Sequence, residues 1–278
     1  MAAKNSKVLI TVISDLHVGS SVSILPEGGL MPDDGGIYKG SKLQDELGRV
    51  WEIFFDDIRK IKQISKRVLV INGDSVDGFH HNTVALATNN LMIQEKAAVA
   101  LLLPKVAMFD EVFVTRGTEA HVQSGAQSEE RVARAINAKP DENGNYARWQ
   151  LWMDVKGMVF NVAHHIGTTS SAAYESSAVM REMVAALVEA GQWEQKLPDV
   201  LVRSHRHRFI VIGIPSAKGR IQAVVTPSWQ LRTPYVERID RMRMPHIGGV
   251  NFIVDEGHCS VQEHLFPLKA NGMEHIDG

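Results

Sequence analysis

The feature that most constrains the fold of this chain is a set of short apolar runs that stop close to aspartate or histidine. The first run, residues 7–14 (KVLITVIS), is rich in β-branched residues and has no helical period, which is typical of a strand buried on both faces. Comparable runs at 67–72, 111–115, 158–163 and 199–203 predict further strands. The chain is therefore expected to build its core around a sheet.

Segments with a helical period separate these runs. Between residues 41 and 65, apolar side chains recur every three or four positions, and Ser41 is placed to cap the helix. Residues 83–108, 128–138 and 171–192 also predict helices. Strands that alternate with helices predict an α/β fold with a largely parallel central sheet covered on both faces.

The remaining residues add a long loop and a β-rich end. Residues 19–40 are rich in Gly, Pro, Ser and Asp, and a loop of that length in a compact domain is usually functional or disordered. From about residue 209 the apolar runs again suit strands. No repeat, low-complexity tract or linker divides the sequence, so residues 1–278 are expected to form a single domain.

Composition excludes several classes of protein. Thirty Lys and Arg against 32 Asp and Glu give a net charge of −2, which rules out the overall basicity of a non-specific DNA-coating protein. The single cysteine, Cys259, cannot form an internal disulfide, as expected in a reducing compartment. No run approaches the roughly 18 apolar residues of a membrane span, and the first residues lack the pattern of a signal peptide. A cytoplasmic protein with no membrane partner is expected.

Side chains that bind metal ions follow the predicted strands. Ligands of open α/β sheets bind beyond the carboxyl ends of the strands, so the residues found there are expected to meet at one edge. Donors crowded at one place would repel one another or lie desolvated without a cation, whereas divalent metals bind imidazole and carboxylate readily. The six expected donors are Asp15, His17, Asp74, His164, His205 and His207.

The spacing of these donors suits a pair of ions. Asp15 and His17 alternate along an extended segment, so both side chains can point to the same side, and His205 and His207 share that spacing. Asp74 lies between the pairs and is expected to bridge two ions about 3.5–4 Å apart. A water held between the ions would become hydroxide near neutral pH and act as the nucleophile of a phosphoryl displacement.

The order of these motifs resembles that of the calcineurin-like metallophosphoesterases. The phrase ISDLHVGS is also similar to the opening motif of the repair-nuclease branch of that family. The resemblance spans residues 8 to about 210 and implies a four-layer α/β/β/α sandwich with mixed sheets. The motifs that carry it are D-x-H (Asp15, His17), G-D-x-x-D-G (73–78), a loop centred on Gly117, the strand-terminal His164, and S-H-R-H (204–207), which looks like the family's G-H-x-H.

The resemblance also implies how the metals are held and what the chain does. Carried over by position, one ion would be held by Asp15, His17, Asp74 and His207, and the second by Asp74, His164 and His205. The implied activity is hydrolysis of phosphate esters at two divalent ions. Manganese is the expected metal, with iron, zinc, nickel and magnesium as alternatives.

The chain departs from the family at the third motif. The family has Gly-Asn-His followed by an acid, whereas here Thr118 stands at the position of the asparagine ligand, in the segment GTEAH. Glu119 is the candidate replacement ligand for the second metal, and His121 is the candidate general acid. The alternatives are that Glu119 and His121 cap the next helix or face solvent, and that the second metal has been lost together with activity.

Other residues at this edge are candidates for contact with substrate. His164 and His165 are adjacent and point to opposite sides of an extended segment, so only one can be a ligand. His164 directly continues the strand and is preferred, which leaves His165 facing substrate or supporting a ligand. Arg116 and Arg206 suit phosphate oxygens. A second basic run at 238–243 is equally well explained by ordinary surface charge.

Together these features favour an enzyme that hydrolyses phosphodiesters or nucleic acid, because of the opening motif and the arginines. DNA or a nucleotide is the expected partner. A phosphomonoesterase or nucleotidase is the alternative enzyme. The competing class is a scaffold whose site has decayed, which the threonine at position 118 favours.

Overall fold

The computed structural model describes residues 7–32, 34–80, 83–122, 127–167, 171–216, 219–239 and 244–267. These residues form two mixed β-sheets that pack face to face, with helices against the outer face of each sheet. The four-layer α/β/β/α sandwich implied by the motifs is therefore confirmed.

The first sheet has six strands in the order β11-β10-β1-β2-β3-β4. Strands β1 to β4 pair in parallel, and β10 and β11 extend the sheet in antiparallel pairing beyond β1. Strands β10 and β11, which lie at the far end of the sequence, thus complete the same sheet that β1 begins. The strands are β1 (Lys7–Ile13), β2 (Ile64–Asn72), β3 (Glu111–Thr115), β4 (Ala147–Arg148), β10 (Ile247–Asp255) and β11 (His258–Phe266).

The second sheet has five strands in the order β5-β6-β7-β9-β8. Strands β6, β7 and β9 are parallel, and the two edge strands pair antiparallel to their neighbours. The strands are β5 (Leu151–Val155), β6 (Met158–Val162), β7 (Val200–Arg203), β8 (Ile210–Ser216) and β9 (Gly219–Val225).

Six helices connect the strands. Helices α1, α2 and α4 cover the first sheet, and α5 covers the second. The helices are α1 (Lys42–Lys60), α2 (Leu91–Val106), α3 (Glu119–Val122), α4 (Gln127–Ala135), α5 (Glu175–Trp193) and α6 (Pro234–Ile239). No helix among the described residues is long and apolar enough to pass through a membrane.

Strand β1 shows why a continuous apolar run is needed here. Its side chains alternate between two cores: Leu9 and Ile13 pack against the helices, whereas Val8, Ile10 and Val12 pack against the second sheet. A strand covered on both faces has no position for a polar side chain that lacks a partner. Thr11 is the exception, and its hydroxyl donates to Asn251 Oδ1 at 2.7 Å.

Helix α1 begins as its sequence predicts and ends earlier. Ser41 and Gln44 form a reciprocal capping box, in which each side chain accepts from the other residue's backbone N–H. The helix ends at Lys60 rather than at residue 65, because Ile64 already pairs with β1 as the first residue of β2.

Two other predictions about the elements are wrong. The helix predicted over 83–108 begins only at Leu91, where the Asn90 side chain caps it by accepting from Met92 N at 3.0 Å. The largely parallel single sheet is instead two mixed sheets, because β10 and β11 join the first sheet, and β5 and β8 flank the second, in antiparallel pairing.

Candidate metal centre

Five strands deliver the site residues to one edge of the sandwich. Asp15 follows β1, Asp74 follows β2, Thr118 follows β3, His164 follows β6 and His205 follows β7. The two sheets are tied together at this edge, since Asn72 Nδ2 donates to the Ala163 carbonyl at 3.1 Å and to Ser204 Oγ at 2.6 Å. Strand ends of both sheets therefore meet, although the alternation of strands and helices taken alone predicted one central sheet.

The structure brings the six predicted donors together in two groups of three. One group is Asp15, His17 and His207, and the other is Asp74, His164 and His205; in each group the donor atoms lie within 4.8 Å of one another. Asp15 Oδ1 is 3.3 Å from His207 Nε2, and Asp74 Oδ2 is 3.0 Å from His164 Nε2.

The two groups share a boundary. His17 Nε2 lies 3.8 Å from Asp15 Oδ1 and 4.0 Å from Asp74 Oδ2, so this histidine stands between the two carboxylates. His164 Nε2 is likewise 3.9 Å from Asp15 Oδ1. The six donors therefore form one continuous cluster that consists of two adjoining groups of three.

The donor set fits divalent cations. Asp15 Oδ1 and His164 Nε2 are buried and have no hydrogen-bond partner in the part of the chain that the structure describes. His17 Nε2 and His207 Nε2 lie only 3.2 Å apart, so two ring nitrogens converge on the same space. Buried polar atoms left without a partner cost about 1–3 kcal/mol each, and metal coordination is the interaction that would satisfy this set of nitrogens and carboxylates together.

Five of the six donors have a left-handed backbone conformation. The φ angles are +52° at Asp15, +47° at His17, +52° at Asp74, +71° at His205 and +53° at His207. Residues other than glycine rarely adopt such angles, which cost of order 1–3 kcal/mol each, and strained residues of this kind concentrate at functional sites. The strain aims the side chains into one cluster.

Two glycines allow the loops to approach one another. A side chain at Gly117 would place its Cβ 2.2 Å from Asp74 Oδ1, and one at Gly73 would place it 2.5 Å from His164 Nδ1. Both contacts are far shorter than real Cβ contacts, so the cluster requires glycine at these two positions.

A further layer of hydrogen bonds orients the histidine rings. His17 Nδ1 lies 3.1 Å from Asp77 Oδ1, and Gln230 Nε2 donates to the same oxygen at 3.2 Å. His164 Nδ1 donates to the Asn72 carbonyl at 2.6 Å. In both rings the contact at Nδ1 fixes the ring so that Nε2 faces the cluster, as in many metal-binding histidines.

Without metal, the cluster changes the protonation of its members. Burial disfavours the charged form of His17, but the bonds with Asp15 and Asp77 outweigh it and raise its pKa to about 10. His164 behaves similarly, because Asp74 and Asp15 outweigh burial and raise its pKa to about 9. Burial alone would raise the pKa of Asp74, but His164 dominates and the pKa falls well below its usual range.

Thr118 contacts the cluster where the family has asparagine. Its backbone N–H donates to Asp74 Oδ1 at 2.7 Å, and its hydroxyl lies 3.0 Å from His205 Nδ1. Glu119, the predicted replacement ligand, is exposed as the first residue of α3 and lies outside both donor groups. The structure therefore does not bring Glu119 to the donor cluster, because the start of α3 turns its side chain to solvent.

His121 lies beside the cluster. Its Nδ1 donates to the Asp77 carbonyl at 2.8 Å, and its ring centroid is 4.5 Å from that of His17 and 4.3 Å from that of His80. Burial and the charge of His17 lower its pKa to about 4. The resemblance pointed to this histidine as a replacement, because it lies two positions beyond the histidine of the family's third motif.

The three residues predicted to contact substrate lie in different surroundings. His165 is exposed and stacks on His205, with ring centroids 4.8 Å apart. Arg206 borders the cleft described below, and its Nη1 donates to the Glu175 carbonyl at 2.8 Å. Arg116 is turned toward Trp149, 5.4 Å from the ring centroid, and does not line that cleft.

A cleft of about 1020 Å³ opens over the cluster. His17, Asp74 and His121 form one side of it, and the segment that contains Leu231 and Val236 forms another. Three more arginines line the cleft, namely Arg208, Arg232 and Arg238. The sequence analysis did not connect Arg232 with the site, because residues 230–238 reach the cleft only through the fold. Arg241 and Arg243, from the second basic run, lie outside the described residues.

Glu129 was not predicted from the sequence. It is fully buried in α4, and its Oε1 accepts from Ser75 N at 2.9 Å, next to Asp74. Burial and the nearby Asp74 carboxylate raise the pKa of Glu129 to about 8. Its sequence context, a glutamate in a polar helix, resembles that of many exposed residues and gave no signal.

No protein-family model and no curated protein matches the sequence. Solved structures do match it. One is an archaeal phosphodiesterase, with 10% identity and a TM-score of 0.42, and the match covers 93% of this chain and 100% of that chain. Another is Vps29 of Chaetomium thermophilum, with 12% identity and a TM-score of 0.42, and the match covers 93% of this chain and 95% of that chain. A third is the sulfate thiohydrolase SoxB of Thermus thermophilus, with 10% identity and a TM-score of 0.45, and the match covers 94% of this chain and 57% of that chain. The two sheets and the clustered donors of this chain agree with the four-layer fold and the donor set that the sequence motifs imply.

Proposed function

We propose that this chain is a hydrolase of phosphate esters that works with two divalent metal ions. The observation that carries the proposal is the buried cluster of two carboxylates and four imidazoles, in which Asp15 Oδ1 and His164 Nε2 have no hydrogen-bond partner among the described residues. One ion would be held by Asp15, His17 and His207, and the other by Asp74, His164 and His205. Asp74 is the candidate bridge between them.

Two divalent ions at such a site lower the pKa of bound water and neutralise charge on the phosphate. The chain's own part is to fix the donors in place. Asp77 holds the His17 ring, and the Asn72 carbonyl holds the His164 ring, so that each presents Nε2 to the cluster. Thr118 N–H holds the Asp74 carboxylate. A rigid set of donors needs little rearrangement when metal and substrate bind.

His121 is the candidate proton donor to the leaving group. It lines the cleft next to His17, and its Nδ1–H is committed to the Asp77 carbonyl, so Nε2 is the nitrogen that a substrate can reach. The pKa of about 4 leaves Nε2 without a proton in the free chain, so the role requires that the negative charge of a bound phosphate raise this pKa and protonate Nε2. This is the role for which the sequence proposed it, and Glu119 is too exposed to share it.

The cleft supports a phosphodiester as substrate. Its volume of about 1020 Å³ is large for a phosphate monoester with a small leaving group, and it combines arginines with apolar side chains such as Leu231 and Val236. Arginine forks suit phosphate oxygens, and apolar walls suit the groups that a diester carries on both sides. Nucleotides and short stretches of nucleic acid belong to this class.

The experiment is turnover of bis(p-nitrophenyl) phosphate by protein loaded with manganese, and then with zinc, iron, nickel or magnesium. Asp74→Asn keeps the shape of the side chain but removes its charge, and it should reduce turnover at least about a hundredfold. Asp154→Asn, at an exposed carboxylate of β5, is the matched control and should leave turnover unchanged. Wild-type turnover that persists after exhaustive chelation would refute the proposal.

A scaffold without activity is the second candidate, favoured by the threonine at position 118. Thr118→Asn restores the amide of the family pattern. If the chain is a decayed enzyme, this variant should gain turnover that the wild type lacks. If the wild type already turns over substrate, the scaffold is excluded.

A further inference from the structure

Helix α5 has one face on the second sheet and one face in solvent. Ala178, Val179 and Met183 are buried against the sheet. On the opposite side, Met180, Val184 and Val188 are 37%, 48% and 45% exposed. Residues four apart lie above one another on a helix, so these three form a continuous apolar stripe about 12 Å long.

A row of two charged residues and one small residue runs beside the apolar stripe. Arg181, Ala185 and Glu189 are exposed and have the same spacing of four. Neither Arg181 nor Glu189 forms an ion pair with any residue that the structure describes. The row therefore carries a positive charge at one end, a negative charge at the other, and a small side chain in the middle.

We propose that this face binds the same face of a second copy of the chain, with the two α5 helices antiparallel. A two-fold axis near Val184 and Ala185 sets Met180 against Val188 of the partner subunit. The same axis brings Arg181 within reach of Glu189 of the partner subunit, and the reverse pair forms at the other end. A two-fold interface uses one patch twice, so the patch must complement itself, and opposite charges at the two ends of the row meet that requirement.

Other features of α5 agree with a second copy as the occupant. The small Ala185 lets two helices approach closely at the crossing point. Exposed aromatic residues stand at both ends of the helix, Tyr174 at 64% and Trp193 at 67% exposure. Antiparallel helices bring the beginning of one beside the end of the other, which extends the apolar contact toward the area of about 1,200 Å² that stable interfaces bury.

The experiment is sedimentation equilibrium of the full chain at several concentrations, with and without metal. The wild type should be a dimer, and Val184→Glu should be a monomer, because it places two carboxylates at the centre of the interface. Leu43→Glu, at a 61% exposed residue of α1, is the matched control and should remain dimeric. Circular dichroism of Val184→Glu verifies that the fold is intact.

A charge exchange makes the test specific for the antiparallel arrangement. Arg181→Glu and Glu189→Arg should each weaken the dimer about tenfold or more, because each sets like charges opposite one another. The double variant should recover most of the affinity. A monomeric wild type, a dimer that Val184→Glu leaves intact, or a double variant no tighter than the single ones would overturn the proposal. None of these results depends on whether the chain hydrolyses phosphate esters.

Discussion

Single residues at the site adopt conformations that ordinary positions avoid. The left-handed angles at Asp15, His17 and Asp74 occur just after β1 and β2 end, where the Asp15 and His17 N–H groups still donate to the backbone that follows β2. They turn each side chain toward the cluster as the backbone leaves the sheet. A site that concentrates strain, unpartnered donors and glycine contacts in this way is built for a ligand rather than for stability.

Glu129 gives a prediction about pH. Its pKa is raised from 4.5 to about 8, so the folded chain holds this proton more tightly than the unfolded chain does. Its contribution to stability therefore falls as pH rises from about 4.5 to about 8. Glu129→Gln keeps an oxygen for Ser75 N but cannot ionise, so it should gain stability relative to wild type between pH 5 and pH 8.

The measurement is urea unfolding of both proteins in chelator at pH 5 and pH 8. The gain should be on the order of 3 kcal/mol at pH 8. Parallel pH profiles for the two proteins would show that Glu129 is ionised in the folded state, contrary to this account.

His121 gives a prediction about leaving groups. If it donates a proton, His121→Ala should lower kcat by about 10²–10⁴ for an alkyl leaving group, which leaves poorly as an anion. The loss should be much smaller for p-nitrophenol, which leaves without a proton. His258→Ala, at an exposed histidine of β11, is the control. An equal loss for both substrates would assign His121 to binding or positioning.

At the scale of elements, alanine at two glycines should have opposite effects. One substitution should disrupt the donor cluster, and the other should stabilise the chain. Gly117→Ala would force its Cβ against Asp74 Oδ1 and N, at 2.2 Å and 2.3 Å, and should displace the loop after β2. Gly48→Ala, inside α1, meets nothing within 4 Å and should stabilise the chain by about 1 kcal/mol.

Thermal unfolding with and without manganese distinguishes the two effects. Gly48→Ala should raise Tm in both conditions, whereas Gly117→Ala should abolish the increase in Tm that metal gives the wild type. A normal metal-induced increase in Gly117→Ala would contradict the close approach of these loops.

Elements with strong local signals were predictable from the sequence. Strands such as β1 and β3 are continuous apolar runs, and α1 has both a stripe and a cap. Strands β5 and β11 were not predicted, because one face of each is exposed. The polar residues on that face interrupt the continuous apolar run by which the buried strands were recognised. The short α3 and α6 depend on tertiary contacts more than on local sequence.

The site was predictable where residue type and strand context coincide. Asp15, Asp74 and His207 were found because each follows an apolar run within a few residues. The exposure of Glu119 was not predictable, since it depends on how α3 leaves β3. The role of Arg232 in the cleft depends on a segment about 200 residues away from β1 in sequence, and only the fold brings it there.

For the molecule as a whole, metal binding should be coupled to proton release. His17 and His164 have pKa values of about 10 and about 9 without metal, so both are protonated near neutral pH and must lose a proton to bind an ion. Affinity for manganese should therefore rise with pH between 6 and 9. Calorimetry in buffers of different ionisation enthalpy measures the protons released, and an affinity independent of pH would contradict this coupling.

The same two histidines affect the stability of the metal-free chain. Their pKa values are raised on folding, so the stability they contribute is complete below about pH 6.5 and is lost as pH rises through about 9 to 10. Metal should oppose this loss, because it replaces the protons as the positive charge between Asp15 and Asp74.

The most direct test is the number of metal ions bound per chain. Protein dialysed against manganese at pH 7.5, freed of excess ion and analysed by mass spectrometry of the metal, should contain two equivalents, and Asp74→Asn should contain fewer. A wild-type chain that retains no ion, with its fold intact, would contradict the account at its centre.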